Sequence, residues 1–215
     1  MKEQLQKDFD NIIKNLSLSQ RDTEIKQFYL DNFINKGFPN RRDENWKFSD
    51  LNQIIKKNIG ELSFYNDYTS TNKVDTSVFV DGLEHNKIVF INGRIEKIDF
   101  DYEKKDQIEI IDKSETINKF NNNNSLSDLN NAFTNKSFKI LVKRGYQLAK
   151  PLIIYHTTNS KIWSKNINLR LDFELEKDST LRLIDLFNDT SEKNFLNIFY
   201  NFNLNENAVL KNYKV

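Results

Sequence analysis

Two histidines, no cysteine and two stretches of interleaved charge are what this sequence offers for chemistry. The absence of cysteine removes disulfides, thiolate metal ligands and a thiol nucleophile. His85 lies in Asp81-Gly-Leu-Glu-His-Asn86, a polar turn. It could join Glu84 at a metal ion, but two adjacent ligands do not make a pocket, and the turn alone accounts for it. His156 ends the apolar run Pro151–His156 and is expected at a strand rim. Asp172, Glu174 and Glu176 share the polar side of one strand. Facing carboxylates of this kind serve acid/base work in glycosidases, but Arg170, Lys177 and Arg182 interleave with them, which predicts a charge-balanced outer surface. Arg41, Arg42 and Lys47 alternate with Trp46 and Phe48, the residue types of a base-stacking, phosphate-binding patch. Asp43 and Glu44 interrupt that set, which favours a linker with Trp46 anchored in the core and Arg41 paired with Glu44. No glycine-rich phosphate loop, H-E-x-x-H or G-x-S-x-G element is present. No catalytic, cofactor-binding or metal-binding residue is assigned from the sequence.

Totals narrow the classes further. The chain has 215 residues, 29% of them charged and 38% hydrophobic, with 17 Phe and 8 Tyr to fill a core. A net charge of +1 provides no global field for nucleic acid or an anionic membrane. Met1-Lys-Glu-Gln-Leu5 leads into charged residues without an apolar leader segment, so the expected location is the cytoplasm. The sequons at Asn15, Asn135 and Asn188 are then chance matches in an Asn-rich chain.

The elements that would position these residues fall into three regions. Over residues 1–60 the pattern is helical: Leu5, Phe9, Ile12, Ile13 and Leu16 share one face, and Ile25, Phe28, Tyr29 and Phe33 share another, before Gly37 and Pro39 stop the second helix. Ser49 is placed to cap a third, short helix through Leu51, Ile54 and Ile55. Residues 61–136 read as a linker containing polar Asn66–Ser77, a hairpin at Asn92-Gly93, a short strand at Ile108–Ile111 and a solvated loop at Lys119–Asp128. Ser127 or Asp128 would cap a brief helix at Leu129–Phe133. Residues 137–215 are strands: Ser137–Lys143, Pro151–His156, and Ile167–Leu175 with strict alternation. The grammar of Leu175–Leu186, a strand end, a polar turn and a new strand, returns at Leu204–Val215 and more loosely at Gly145–Tyr155. Self-similarity at roughly 30 residues points to a solenoid; an antiparallel sandwich uses similar strands with tighter turns.

The stretch Phe38-Pro-Asn-Arg-Arg-Asp-Glu-Asn-Trp-Lys-Phe-Ser-Asp-Leu51 carries a resemblance. Its pattern F-P-x-R-x-x-E-x-W-K-[FY]-[ST]-x-L resembles the N-terminal signature of SufD, the scaffold subunit of the SUF iron–sulfur cluster assembly system, with Pro39, Arg41, Glu44, Trp46, Lys47, Phe48, Ser49 and Leu51 at matching positions. Lys87–Ile95 resembles the family's F-V-N-G strand-turn. Leu129–Phe133 followed by Lys150–Ile153 resembles its L-N-x-A helix and next strand. The paralogous SufB lacks the Glu-x-Trp-Lys motif.

The resemblance implies a mainly β fold with an N-terminal helical region, then a right-handed parallel β-helix, incomplete at the C-terminus. It implies a non-enzymatic subunit, the N-terminal portion of a longer scaffold, partnered by a SufB-like paralogue and a SufC-like ABC-type ATPase. The assembled complex would handle the iron–sulfur cluster, and this chain would bind no cofactor. No functional residue of the family falls on a position of this sequence. Two other classes compete: a polysaccharide-acting β-helix enzyme, which predicts a secretory leader and a cleft of acids or aromatics, and a single-stranded nucleic-acid binder using Arg41–Phe48, which predicts steep salt dependence.

Overall fold

The structure is a computed structural model that describes residues 2–16, 18–65, 73–113, 124–159, 162–189 and 193–215. Its first third is helical. Helix α1 (Lys2–Asn15) buries Leu5, Phe9 and Ile12 at the three- and four-residue spacing that makes one apolar stripe. Helix α2 (Gln20–Lys36) starts at Ser19, whose Oγ accepts the Asp22 amide at 3.1 Å. It stops at Gly37, where φ of +73° lets the glycine N–H return to the Phe33 carbonyl. Helix α3 (Leu51–Asn58) is capped by Asp50, whose carboxylate accepts the Gln53 amide at 3.0 Å. The cap therefore sits one residue later than the expected Ser49.

Among the described residues, ten strands follow or interleave: β1 (Ser63–Phe64), β2 (Asn86–Ile91), β3 (Arg94–Asp99), β4 (Ile108–Lys113), β5 (Ser137–Val142), β6 (Leu152–Thr158), β7 (Lys165–Leu175), β8 (Thr180–Asp189), β9 (Phe195–Leu204) and β10 (Val209–Lys214). One sheet runs β4–β5–β7–β9, with β1 on the β5 side of β7. The other runs β3–β2–β6–β8–β10. From β5 onward, successive strands alternate between the sheets. Same-sheet partners such as Leu171 and Tyr200, or Leu181 and Leu210, lie roughly 30 residues apart.

The right-handed parallel β-helix expected from the sequence is not what forms. The fold is mixed α/β, with two sheets that each combine parallel and antiparallel pairing and that do not close on one another. The reason lies in the middle third. Asn92 and Gly93 take φ of 52° and 79°, the tight-turn geometry that sends β3 back antiparallel to β2. Strand β4 likewise runs antiparallel to β5. Each sheet thus has an antiparallel outer pair, and helices cover part of the first sheet. The thirty-residue repetition is present as strand register, but a repeat length alone does not dictate closure.

Helix α4 (Ser125–Phe133) joins the helical third to the first sheet. Its cap is Asn124, whose side chain accepts the Leu126 and Ser127 amides, not the expected Ser127 or Asp128. Asp128 is instead buried and paired with Lys36 at 2.8 Å. Buried Asn130 donates to the carbonyls of Leu169 and Asn197, tying α4 to β7 and β9. Lys26 of α2, also buried, points its ammonium at the carbonyls of Asn131 and Thr134, where α4 has run out of its own donors. Burial lowers its pKa to about 8.

Two apolar clusters result. One unites α1, α2, α3 and α4 around Phe9, Tyr29, Leu30, Phe33 and Phe133. The other fills the space between the sheets with Ile88, Phe90, Ile140, Ile154, Leu171, Phe173 and Leu183. Residues 66–72 of the expected Asn66–Ser77 linker and 119–123 of the expected Lys119–Asp128 loop lie outside the described residues; the rest of that loop is not solvated coil but, from Ser125, the first turn of α4, with Ser125, Ser127 and Asp128 buried.

Candidate functional site

The Pro39–Leu51 stretch is a closed loop between α2 and α3. The Leu51 amide donates to the Pro39 carbonyl at 3.0 Å, pinning its two ends together. Inside it, the Asp43 carboxylate accepts the Asn40 amide at 2.8 Å and a single 3-10 turn spans Glu44–Trp46. Phe38 is buried at the loop's entrance, and Trp46 packs, half-buried, on the helical cluster. The expected anchoring role of Trp46 is therefore observed, while no Arg41–Glu44 ion pair occurs among the described residues. Phe48 points outward, 90% exposed, with the Lys47 ammonium 5.9 Å from its ring centre.

The two histidines sit in different surroundings, and both are buried. His85 bridges two neighbours: Nδ1 contacts the Leu83 carbonyl at 2.5 Å and Nε2 the Tyr155 hydroxyl at 2.7 Å. Glu84 turns away to pair with Lys150 at 2.6 Å, so the two residues do not share a site. His156 belongs to β6 and lies inside the sheets, not at a rim. Its ring stacks between Phe90 and Phe187, its register partners on β2 and β8. Nε2 lies 2.8 Å from the Tyr200 hydroxyl, which donates in turn to the Asp185 carboxylate. Asp185 Oδ2 is buried without a hydrogen-bond partner. Burial holds the imidazole below its ordinary pKa against the pull of Asp185, so it stays neutral at pH 7. Burial and the same carboxylate push the Tyr200 phenol far above its ordinary value. The result is a hydrogen-bonded relay joining β6 and β8 of one sheet to β9 of the other.

Sequence reasoning missed β9 and this relay. The signal was present in part: Leu196, Ile198, Tyr200 and Phe202 alternate with Asn197, Phe199, Asn201 and Asn203, polar but for Phe199, and Asp185 continues the inward series Leu181, Leu183. The carboxylates on β7 and beyond are neutralised locally. Asp172 accepts from Arg170, Glu174 pairs with Lys139, and Glu176 accepts the Arg144 amide at 2.8 Å. Lys177 pairs with Glu206, and Arg182 donates to the Ala149 carbonyl. This is the balanced outer surface the pattern predicted. Among the described residues, no cluster of three His, Cys, Asp or Glu side chains is placed to hold a metal ion, and no helix is long and apolar enough to cross a membrane.

The end of the sheets formed by β9 and β10 is open. Among the described residues, strand β9 pairs only with β7, and β10 only with β8. The amides of Val209 and Val215 donate inward to Ser179 and Asp185. Because backbone groups alternate sides along a strand, those of Leu210, Asn212 and Lys214 face outward. Between the sheets Ile198, Tyr200, Phe202 and Leu210 remain only partly covered. Leu204, Val209 and Tyr213 are exposed, Tyr213 by 57%. Unpaired strand edges beside a half-covered core form a ready template for another chain.

No protein-family model matches the sequence, and no curated protein matches it.

Proposed function

We propose that this chain is a non-catalytic scaffold subunit of a SufBCD-type iron–sulfur cluster assembly complex, working in the cytoplasm with a SufB-like paralogue and a SufC-like ABC-type ATPase. The observation that carries the reading is the Phe38–Leu51 stretch, followed in order by Lys87–Ile95, Leu129–Phe133 and Lys150–Ile153. Two physical features support a scaffold role. The first stretch folds as a self-closed loop whose Trp46 rests on the helical core, as a junction between regions should. The β9–β10 end offers two adjacent strand edges with partly covered apolar side chains, the materials of strand addition by a partner. The cluster is cargo of the assembled complex, and its chemistry is assigned to the partners.

The test is co-expression of this chain with a SufB-like subunit and a SufC-like ATPase, followed by size-exclusion chromatography. Co-elution of the three is expected. Elution of this chain away from both partners would overturn the proposal.

A further inference from the structure

The relay beneath the β9–β10 end brings an imidazole, a phenol and a carboxylate to one point. His156 Nε2 lies 2.8 Å from Tyr200 Oη and 3.5 Å from Asp185 Oδ1, and Tyr200 Oη donates to that same Oδ1. The three atoms form one triangle, supplied by β6, β8 and β9. Two ligands bound to one ion at about 2.0–2.1 Å stand about 2.9 Å apart at a right angle and about 3.3 Å apart at the tetrahedral angle. Both nitrogen–oxygen separations fall close to that span. Tyr200 and Asp185 stand closer, as hydrogen-bonded partners do, and an ion between them would part them slightly.

Asp185 supplies a second, independent observation. Its side chain is fully buried, and Oδ2 has no hydrogen-bond partner. Because both oxygens share one carbon, this unmatched acceptor lies beside the same triangle. A buried acceptor without a donor carries a desolvation cost that a cation would remove. Lys214 is the near cation, but its ammonium lies over the face of the Tyr200 ring, 5.0 Å from the centre, and does not bond Oδ2. Phe90 and Phe187 stack on the imidazole and Phe173 on the phenol ring, which fixes the orientation of both. Tyr200 is only partly covered and Phe187 is 44% exposed, so an ion has a path in from the open end.

We propose that His156 Nε2, Tyr200 Oη and the Asp185 carboxylate form a binding site for a divalent first-row transition-metal ion. One imidazole and two oxygens is a set that copper(II) and zinc(II) accept, with the remaining positions left to water. On binding, the Tyr200 O–H bond breaks, its proton leaves to solvent and the phenolate oxygen bonds the ion, while the imidazole holds its one proton on Nδ1. Carboxylate and phenolate then balance the two positive charges, as a buried site requires. Magnesium fits poorly, because it prefers oxygen ligands and sheds its water reluctantly. The inference does not rest on the scaffold reading, since none of the three residues lies in the motif stretches, and it departs from the expectation that this chain binds no cofactor.

The experiment is a copper(II) titration of the full chain, with glycine present as a weak competitor, read by visible absorption and electron paramagnetic resonance. Copper is the most permissive probe, since it stands highest among the divalent ions in affinity for such donors. One equivalent is expected to bind, with a phenolate-to-copper charge-transfer band, coupling to one imidazole nitrogen and a raised melting temperature. Tyr200→Phe, which keeps the ring and its stacking, should lose the band and weaken binding by at least about tenfold, no less than the loss of an outer-shell partner costs. His156→Gln should lose the nitrogen coupling, which separates this histidine from His85. Excess magnesium should not displace the copper. Absence of the band from the unmodified chain at one equivalent, which needs no variant to fold, would overturn the proposal. So would a band or an affinity unchanged in Tyr200→Phe, nitrogen coupling that survives in His156→Gln, or displacement by magnesium.

Discussion

The two flanks of the first sheet solve the same problem in opposite ways. Where α4 meets β7, buried polar side chains bridge the two: Asn130 reaches two strand carbonyls, Asn197 donates back to Leu126, and Lys26 covers the open end of α4, while Asp128 Oδ1 and Asn131 Nδ2 stay without a partner. Where β9 and β10 form the end of the sheets, outward-facing backbone groups and half-covered Ile198, Tyr200 and Phe202 find no equivalent cover. A chain that spends three buried polar side chains to seal one boundary has the means to seal another. The contrast sets a flank bridged by buried side chains against an end whose strand edges stay open among the described residues, the end to which the proposed function assigns a partner.

The comparison can be broken most sharply at one register pair. Phe173 of β7 and Phe202 of β9 stand side by side, ring centres 5.2 Å apart, but only Phe173 is fully buried. Phe173→Ala should cost about 3–5 kcal/mol in urea unfolding, the usual loss for a core aromatic. Phe202→Ala should cost less than half of that. Equal losses would mean that the end is as well packed as the centre.

A smaller effect concerns the relay beneath that end. The folded state resists protonating His156, so as pH falls through 6.5 the unfolded chain takes up the proton first and stability drops. Above that pH the residue contributes no slope. The facing groups are Asp185, which favours the proton, and Lys214, which opposes it. His156→Gln should flatten this part of the stability profile between pH 7 and 5, measured as the difference from wild type at each pH. An unchanged slope would place the histidine in contact with solvent.

The smallest expected effects are at exposed rings. Phe48→Ala and Tyr213→Ser should each change unfolding free energy by no more than about 0.5 kcal/mol. A larger loss by calorimetry would show that these side chains serve the fold and not a partner.

Much of this was legible in the sequence, and the misses have physical causes. The helices were readable because Leu5, Phe9 and Ile12, or Ile25, Tyr29 and Phe33, mark one face each, and Gly37 ends the second. The β7 alternation was equally plain. The Asn92-Gly93 hairpin was legible too; closure was not, because it depends on long-range pairing, such as that of β4 with β5, that no periodicity records. Caps were misplaced by one to four residues, since Asp50 and Asn124 compete with Ser49, Ser127 and Asp128 on geometry and not on residue type. His156 read as a rim residue because its partners are far off in sequence: Asp185, 29 positions away, comes from the next strand of the same sheet, and Tyr200, 44 away, from the other sheet.

The account stands or falls on whether the β10 edge is where a partner adds. Asn212→Pro is the direct probe: its amide faces away from β8, so proline there removes an outward donor and keeps the inward ladder, as edge prolines do. The measurement is binding of the SufB-like subunit to the wild-type chain and to this variant, with thermal unfolding as the control. The account predicts an unchanged melting temperature and binding weakened about two- to tenfold, the equivalent of one lost hydrogen bond of ordinary strength. Undiminished binding by a fully folded Asn212→Pro chain would contradict it.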